Sequence, residues 1–210
     1  FNNFFQFNFI KDENIKINKG FIRNKYINSS FEGDVYFKPS FLLELNFEPK
    51  IFKIQKLFPV IQRKYFSNEN RDLELIKKIN GSLNFESKFE GSMKFENGEI
   101  LLKNFKVGKN KNIFFDAKIS DLENKAKIQF NLIKMVQYKK TLSKELNISG
   151  FFFPSSSKFF FKKISLDKKF FSDVEIKKHE KQFIEEVILD SVNNIFDELK
   201  LNKYFNNFVN

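Results

Sequence analysis

The chain has 210 residues, enough for one large domain or two small ones, and a net charge of +11 spread along its length. It has no Cys, which excludes a disulfide scaffold and a thiolate-ligated metal. Its longest apolar runs, such as Phe151-Phe152-Phe153, fall far short of the roughly 20 residues that a membrane-spanning helix needs. Its 32 Phe stand beside only two Ala, and many of the Phe occupy alternate positions, which a compositional bias toward Phe does not by itself produce. The cationic residues are nearly all Lys; Arg, the usual bidentate reader of bases, occurs only at 23, 63 and 71. The sequence begins at Phe1 inside an alternating run and is read as a fragment or processed chain, with any anchor upstream.

Period-two alternation predicts strands with one dry and one wet face. Phe5, Phe7 and Phe9 alternate with Gln6 and Asn8. Ile15 and Ile17 follow, and Gly20 is expected to break that run. A strand from Phe31 to Phe37 precedes one in which Leu43, Leu45 and Phe47 face one way, with Pro39 and Pro49 bracketing it. Ile51, Ile54, Leu57 and Phe58 then recur at helical spacing, predicting a short helix over about 50–58, which Pro59 ends, within an insertion at about 50–66.

The densest signal lies between Gly81 and Ile119. Leu83 and Phe85 alternate with polar neighbours, and Phe95 leads into Asn97-Gly98, a two-residue hairpin signal. Ile100 and Leu102, then Phe105 and Val107, lie beyond the turn, followed by Phe115, Ala117 and Ile119. Ile128, Phe130 and Leu132 form the next strand, and Leu146 and Ile148 another that is expected to end at Gly150. Residues 159–166 are weakly strand-like, as are Val174 and Ile176. From about Lys178 the period changes, and Phe183, Ile184, Val187, Ile188, Val192, Ile195, Phe196 and Leu199 share one helical face. The segment Ile15–Ile22 resembles Met93–Ile100, a weak internal repeat of strand, Gly turn, strand.

Catalytic chemistry is hard to place. His179, the only histidine, sits in a charged segment and reads as a solvated side chain. Glu185-Glu186 and Asp121/Glu123 read as solvated carboxylates, no phosphate-cradling or nucleophile motif occurs, and neither a cofactor nor a metal is expected. The chain is therefore read as a non-enzyme. Its candidate functional object is the apolar face made by Phe5, Phe7, Phe9, Phe37, Leu43, Leu45, Phe47, Leu83, Phe85, Phe95, Leu102, Phe115, Ala117, Ile119, Ile128, Phe130, Leu132, Leu146 and Ile148, read as a groove for acyl chains. Lys162, Lys163, Lys168 and Lys169 are candidates for contact with anionic headgroups. The same face closed as the core of a structural or interaction β-sandwich is the second reading. A nucleic-acid-binding β protein is the third, which the scarcity of Arg and the even charge disfavour, so nucleic acid is not among the expected partners.

The runs from Gly81-Ser-Leu-Asn-Phe-Glu, Gly91-Ser-Met-Lys-Phe-Glu-Asn-Gly-Glu-Ile, Phe115-Asp-Ala-Lys-Ile-Ser-Asp-Leu and Leu146-Asn-Ile-Ser-Gly-Phe-Phe-Phe-Pro154 resemble the C-terminal region of AsmA-like proteins, relatives of the TamB-like and YhdP-like envelope proteins. The resemblance implies a mainly β fold: an extended, twisted antiparallel sheet forming an open half-barrel or repeating β-groove over 1–177, with an amphipathic helical cap over 178–210. It implies a periplasmic segment that binds phospholipid or another envelope lipid in support of outer-membrane assembly. Its parent would be anchored in the inner membrane by an upstream part of the same polypeptide, with the C-terminal helix touching a membrane surface.

Overall fold

A computed structural model describes residues 3–38, 40–53, 78–86, 90–107, 112–120, 126–139, 142–190 and 197–208. These form one open sheet of twelve strands in unbroken chain order, with two short helices near its C-terminal end. The strands are β1 (Phe4–Lys11), β2 (Ile15–Arg23), β3 (Ile27–Tyr36), β4 (Leu42–Phe52), β5 (Asn80–Phe85), β6 (Gly91–Glu96), β7 (Glu99–Val107), β8 (Ile113–Ser120), β9 (Lys127–Lys139), β10 (Leu142–Phe153), β11 (Lys158–Leu166) and β12 (Lys169–Phe170). Helix α1 (Asp173–Phe183) runs into a π-helical turn at Ile184–Ile188, and α2 (Glu198–Asn206) follows.

The expected mainly β architecture is observed, but the sheet is mixed rather than wholly antiparallel: β4 and β5 pair in parallel, Leu43 beside Gly81 and Phe47 beside Phe85. A parallel pair needs a crossover, and the long connection between Phe52 and Asn80 provides the length for one. The predicted helix at 50–58 is corrected in part. Lys50, Ile51 and Phe52 continue β4, where the strand pairing of Ile51 with Asn28 and of Phe52 with Ile27 on β3 overrides the short helical spacing, and residues 54–58 lie outside the described residues, as do Pro39 and Pro59. Pro49 lies inside β4 instead of ending it, next to a bulge that leaves Lys50 without a partner on β3.

Glycines account for most of the remaining differences. Asn97-Gly98 forms the anticipated hairpin turn, with φ of 52° and 76° at its two residues and Glu96 opposite Glu99. Gly20 and Gly150, expected to end strands, lie inside β2 and β10. At Gly20 the requirement is space: a Cβ there would stand 2.2 Å from the Phe31 ring. The proposed repeat therefore fails, because Gly20 is mid-strand where Gly98 is a turn.

Val174 and Ile176, read as weakly strand-like, belong to α1, which begins at Asp173 rather than near Lys178. Ser172 and Glu175 close a reciprocal capping box around its first turn, and that local signal sets the start. On the predicted apolar helical face, Phe183, Val187 and Ile188 are buried, whereas Leu199, in the first turn of α2, is 81% exposed. Helix α2 begins anew at Glu198, where the Asp197 side chain accepts the Leu199 and Lys200 N–H groups as a cap, so Leu199 belongs to a helix separate from that of Phe183. Val192, Ile195 and Phe196 lie outside the described residues.

Candidate functional site

Strand register turns the alternating sequence into a surface. Phe5 and Phe7 lie opposite Ile22 and Gly20, Gly20 opposite Phe31, Phe31 opposite Phe47, and Phe47 opposite Phe85. Farther along, Met93 faces Leu102, Leu102 faces Ala117, Ala117 faces Phe130, and Leu132 faces Ile148. The apolar candidates of β1, β4–β10 thus share one face of one sheet.

Bulges keep that face continuous where the sequence drops its period of two. In β7 two residues separate Leu102 from Phe105 while only Asp116 separates their partners Ala117 and Phe115. The extra residue places Asn104 at a φ of 55°, and the Asn104 N–H donates to Asp116 Oδ1 at 2.7 Å. Equivalent offsets between Ile17 and Gly20 in β2, and between Phe161 and Ile164 in β11, return the next apolar residue to the same side.

The rings form a ladder running across the strands. Phe5 stacks on Phe31 with centroids 5.4 Å apart, Phe31 on Phe47 at 5.3 Å, and Phe47 on Phe85 at 5.5 Å; Phe85 meets Phe105 at 5.6 Å. Two glycines make the ladder possible. The Phe31 ring lies over Gly20, and the Phe105 ring 2.9 Å from where a Gly91 Cβ would be, so each ring reaches across a strand that offers no side chain. Phe130 over Gly150 repeats the device in β9 and β10. Phe31, Phe105, Gly20 and Gly91 were missed as site residues, since a Gly opposite a Phe is visible only once register is known.

The face divides in two. Over β8–β11 it is a packed interior under the helices. Phe115, Ala117, Ile119, Ile128, Phe130, Leu132, Leu146 and Ile148 are buried together with Ile176, Phe183, Val187, Leu201, Tyr204 and Phe205. The Phe183 ring contacts Phe161 at 5.2 Å and Tyr204 at 5.1 Å. Toward β1 the face opens. Leu45 and Phe85 are buried; Leu43, Phe47, Leu83, Phe95 and Leu102 are half-buried; Phe5, Phe9 and Phe37 are 59%, 52% and 52% exposed, and Phe7 is exposed as well.

Polar groups under the cap are few. Lys134 is buried on the apolar face: its ammonium donates to Asn202 Oδ1 and lies 5.2 Å above the Phe205 ring. Burial lowers its pKa from the ordinary lysine value, opposed by Glu198. His179, expected on the surface, is half-buried. It stacks on Phe208 at 4.1 Å and meets the Phe171 ring edge-on, its carbonyl accepts the Tyr204 hydroxyl at 3.1 Å, and its Nδ1 is buried with no partner among the described residues. Burial first, then Lys178, lowers its pKa, with Glu175 opposing.

The four headgroup candidates, Lys162, Lys163, Lys168 and Lys169, are exposed at the β11–β12 end, with Lys163 Nζ 4.1 Å above the Phe170 ring. Strand order puts β1 at the other end of the sheet, so Phe5, Phe7 and Phe9 are not brought together with these Lys. Among the described residues no group of three His, Cys, Asp or Glu side chains forms a metal site, and no helix is long and apolar enough to cross a membrane. Asp121 and Glu123 lie outside the described residues. Comparisons with protein-family models, curated proteins and solved structures give no match for this chain.

Proposed function

We propose that the chain is a non-enzymatic lipid-handling β element whose β1–β7 face takes acyl chains, while β8–β11 and the helices form its closed end. One observation carries the reading: from Phe105, which packs against the helix-covered core, an aromatic ladder runs ring on ring through Phe85, Phe47 and Phe31 to exposed Phe5. Large exposed apolar patches mark binding surfaces. Burial of about 0.8 kcal/mol per methylene lets an apolar wall hold a chain of a dozen carbons without a specific polar partner. The half-barrel groove, the periplasmic setting and the envelope lipid implied by the AsmA-like resemblance belong to this proposal. So does membrane contact through the C-terminal helices, where exposed Leu189 and Leu199 would make it.

Native mass spectrometry of the purified chain is expected to show co-purifying phospholipid. Replacing Phe5, Phe7 and Phe9 together with Glu should remove it while the circular dichroism of the sheet stays unchanged. A protein that is lipid-free after purification and binds no added phospholipid would end this reading. It would favour the second one, an interaction module built around a closed core, for which the helix-covered cluster over β8–β11 speaks.

A further inference from the structure

The face of the sheet turned away from α1 and α2 carries the polar half of the alternation, and over β7–β12 it holds a cavity of about 630 Å³. Register places four of the lining side chains in one row across β8–β11: Asp116 lies opposite Asn131, Asn131 opposite Ser149, and Ser149 opposite Lys163. Asn147 and Ser165 lie opposite each other in the next row. Neighbours across such a row stand about 5 Å apart. The chain neighbours Ala117, Phe130, Ile148 and Ile164 are buried under the helices, so the cavity and the apolar core lie on opposite sides of one sheet.

Several charged groups of the cavity already have partners. Asp116 Oδ1 accepts the Asn104 N–H, Lys118 Nζ lies 2.7 Å from Glu99 Oε2, and the Lys163 ammonium sits over the Phe170 ring. The neutral groups differ: among the described residues the side chains of Asn131, Asn147, Ser149 and Ser165 make no hydrogen bond. Amides elsewhere on this face do pair, since Asn84 Nδ2 donates to Asn46 Oδ1 at 3.0 Å. Asn131 Oδ1 is covered as well as unpartnered, a costly state that turning the amide toward a bound hydroxyl relieves.

This lining selects the chemistry of a ligand. An anion would bring acceptors alone and sit beside Asp116 and Glu145; a cation would meet Lys163 and Lys168; an apolar ligand would strand the whole row. Amides and hydroxyls are matched by groups that both donate and accept. Neighbouring hydroxyls on a ring are that chemistry, and Phe170, 63% exposed at the cavity, offers an apolar surface to the C–H side of such a ring.

We propose that this outer-face cavity is a carbohydrate site, taking a neutral oligosaccharide whose hydroxyls pair with Asn131, Asn147, Ser149 and Ser165. Its size falls within the roughly 300–1,000 Å³ of ligand sites. It uses the opposite side of the sheet from the acyl-chain face and does not rest on that reading. An array of neutral oligosaccharides of glucose, galactose, mannose and N-acetylglucosamine, followed by calorimetric titration of the best binder, tests it. Saturable binding is expected. Asn131→Ala and Ser165→Ala should each weaken it about tenfold, the loss of one good hydrogen bond. Asn84→Ala, on the same face outside the cavity, and the joint replacement of Phe5, Phe7 and Phe9 with Glu should leave it unchanged. Thermal melts of every variant separate a lost contact from a lost fold. No binding to any array member at millimolar concentration, an equal loss from Asn84→Ala, or displacement of the saccharide by inorganic phosphate would each overturn the proposal.

Discussion

The β8–β11 end and the β1–β3 end of this sheet use the same materials for opposite outcomes. Both carry Phe at alternate positions, both place a Phe ring over a cross-strand Gly, and both use bulges to restore the apolar side. At the first end α1 and α2 complete the packing, and Leu132, Ile148 and Phe183 are wholly buried. At the second Ile17, Phe31 and Leu45 form only a small buried cluster, and the outer strand is exposed. A Phe-rich face is thus neither core nor binding surface by composition; the covering element decides.

The sharpest way to break this contrast is to truncate rings at both ends. Phe130→Ala and Phe183→Ala remove rings from the packed interior and are expected to cost about 3–5 kcal/mol each in denaturant unfolding. Phe5→Ala and Phe9→Ala should change stability by no more than about 0.5 kcal/mol. Equal costs at the two ends would mean that the β1 side is also closed. A smaller effect tests the glycine device. Gly20→Ala forces a methyl into the Phe31 ring and is expected to cost roughly 1–3 kcal/mol by overpacking. Adding Phe31→Leu should recover part of that loss; purely additive costs would show that the ring and the glycine are not coupled.

Two smaller effects bear on the cap. Ser172→Ala removes the reciprocal cap of α1 and should lower stability by about 1 kcal/mol. His179 supplies a pH dependence. Its folded pKa is depressed, so the unfolded chain takes up the proton more readily. Its stabilising contribution is fully present above the ordinary histidine value of 6.5 and is lost as pH falls through the lower folded value. Thermal unfolding of the wild-type chain should therefore weaken more between pH 7 and pH 5 than that of His179→Phe; parallel curves would show that the ring is not desolvated.

Much of the fold was legible from local pattern. Strands centred on Phe5, Leu45, Phe85, Phe115, Phe130 and Ile148 followed from a period of two, and the Asn97-Gly98 hairpin from the need for two consecutive positive φ angles. The apolar side of nearly every strand was also readable, because in a pleated strand parity alone assigns the face. The helical stretch around Phe183 and Val187 showed itself by its longer period, while the capping box at Ser172 and Glu175, which marks its true start, was overlooked.

What only the tertiary structure decided concerns positions distant in sequence. The parallel pairing of β4 with β5, the seating of Phe31 over Gly20 and Phe105 over Gly91, and the burial of Lys134 beneath α2 all depend on which strands and helices meet. Bulges at Asn104 and Lys162 shift parity, so alternation counted along the chain loses its phase there. By itself the sequence determined that this protein carries one long apolar β face; where that face is shut and where it stays open was settled by the docking of α1 and α2 on β8–β11. Alternation specifies a side chain's direction from its own backbone, whereas exposure depends on what packs above it.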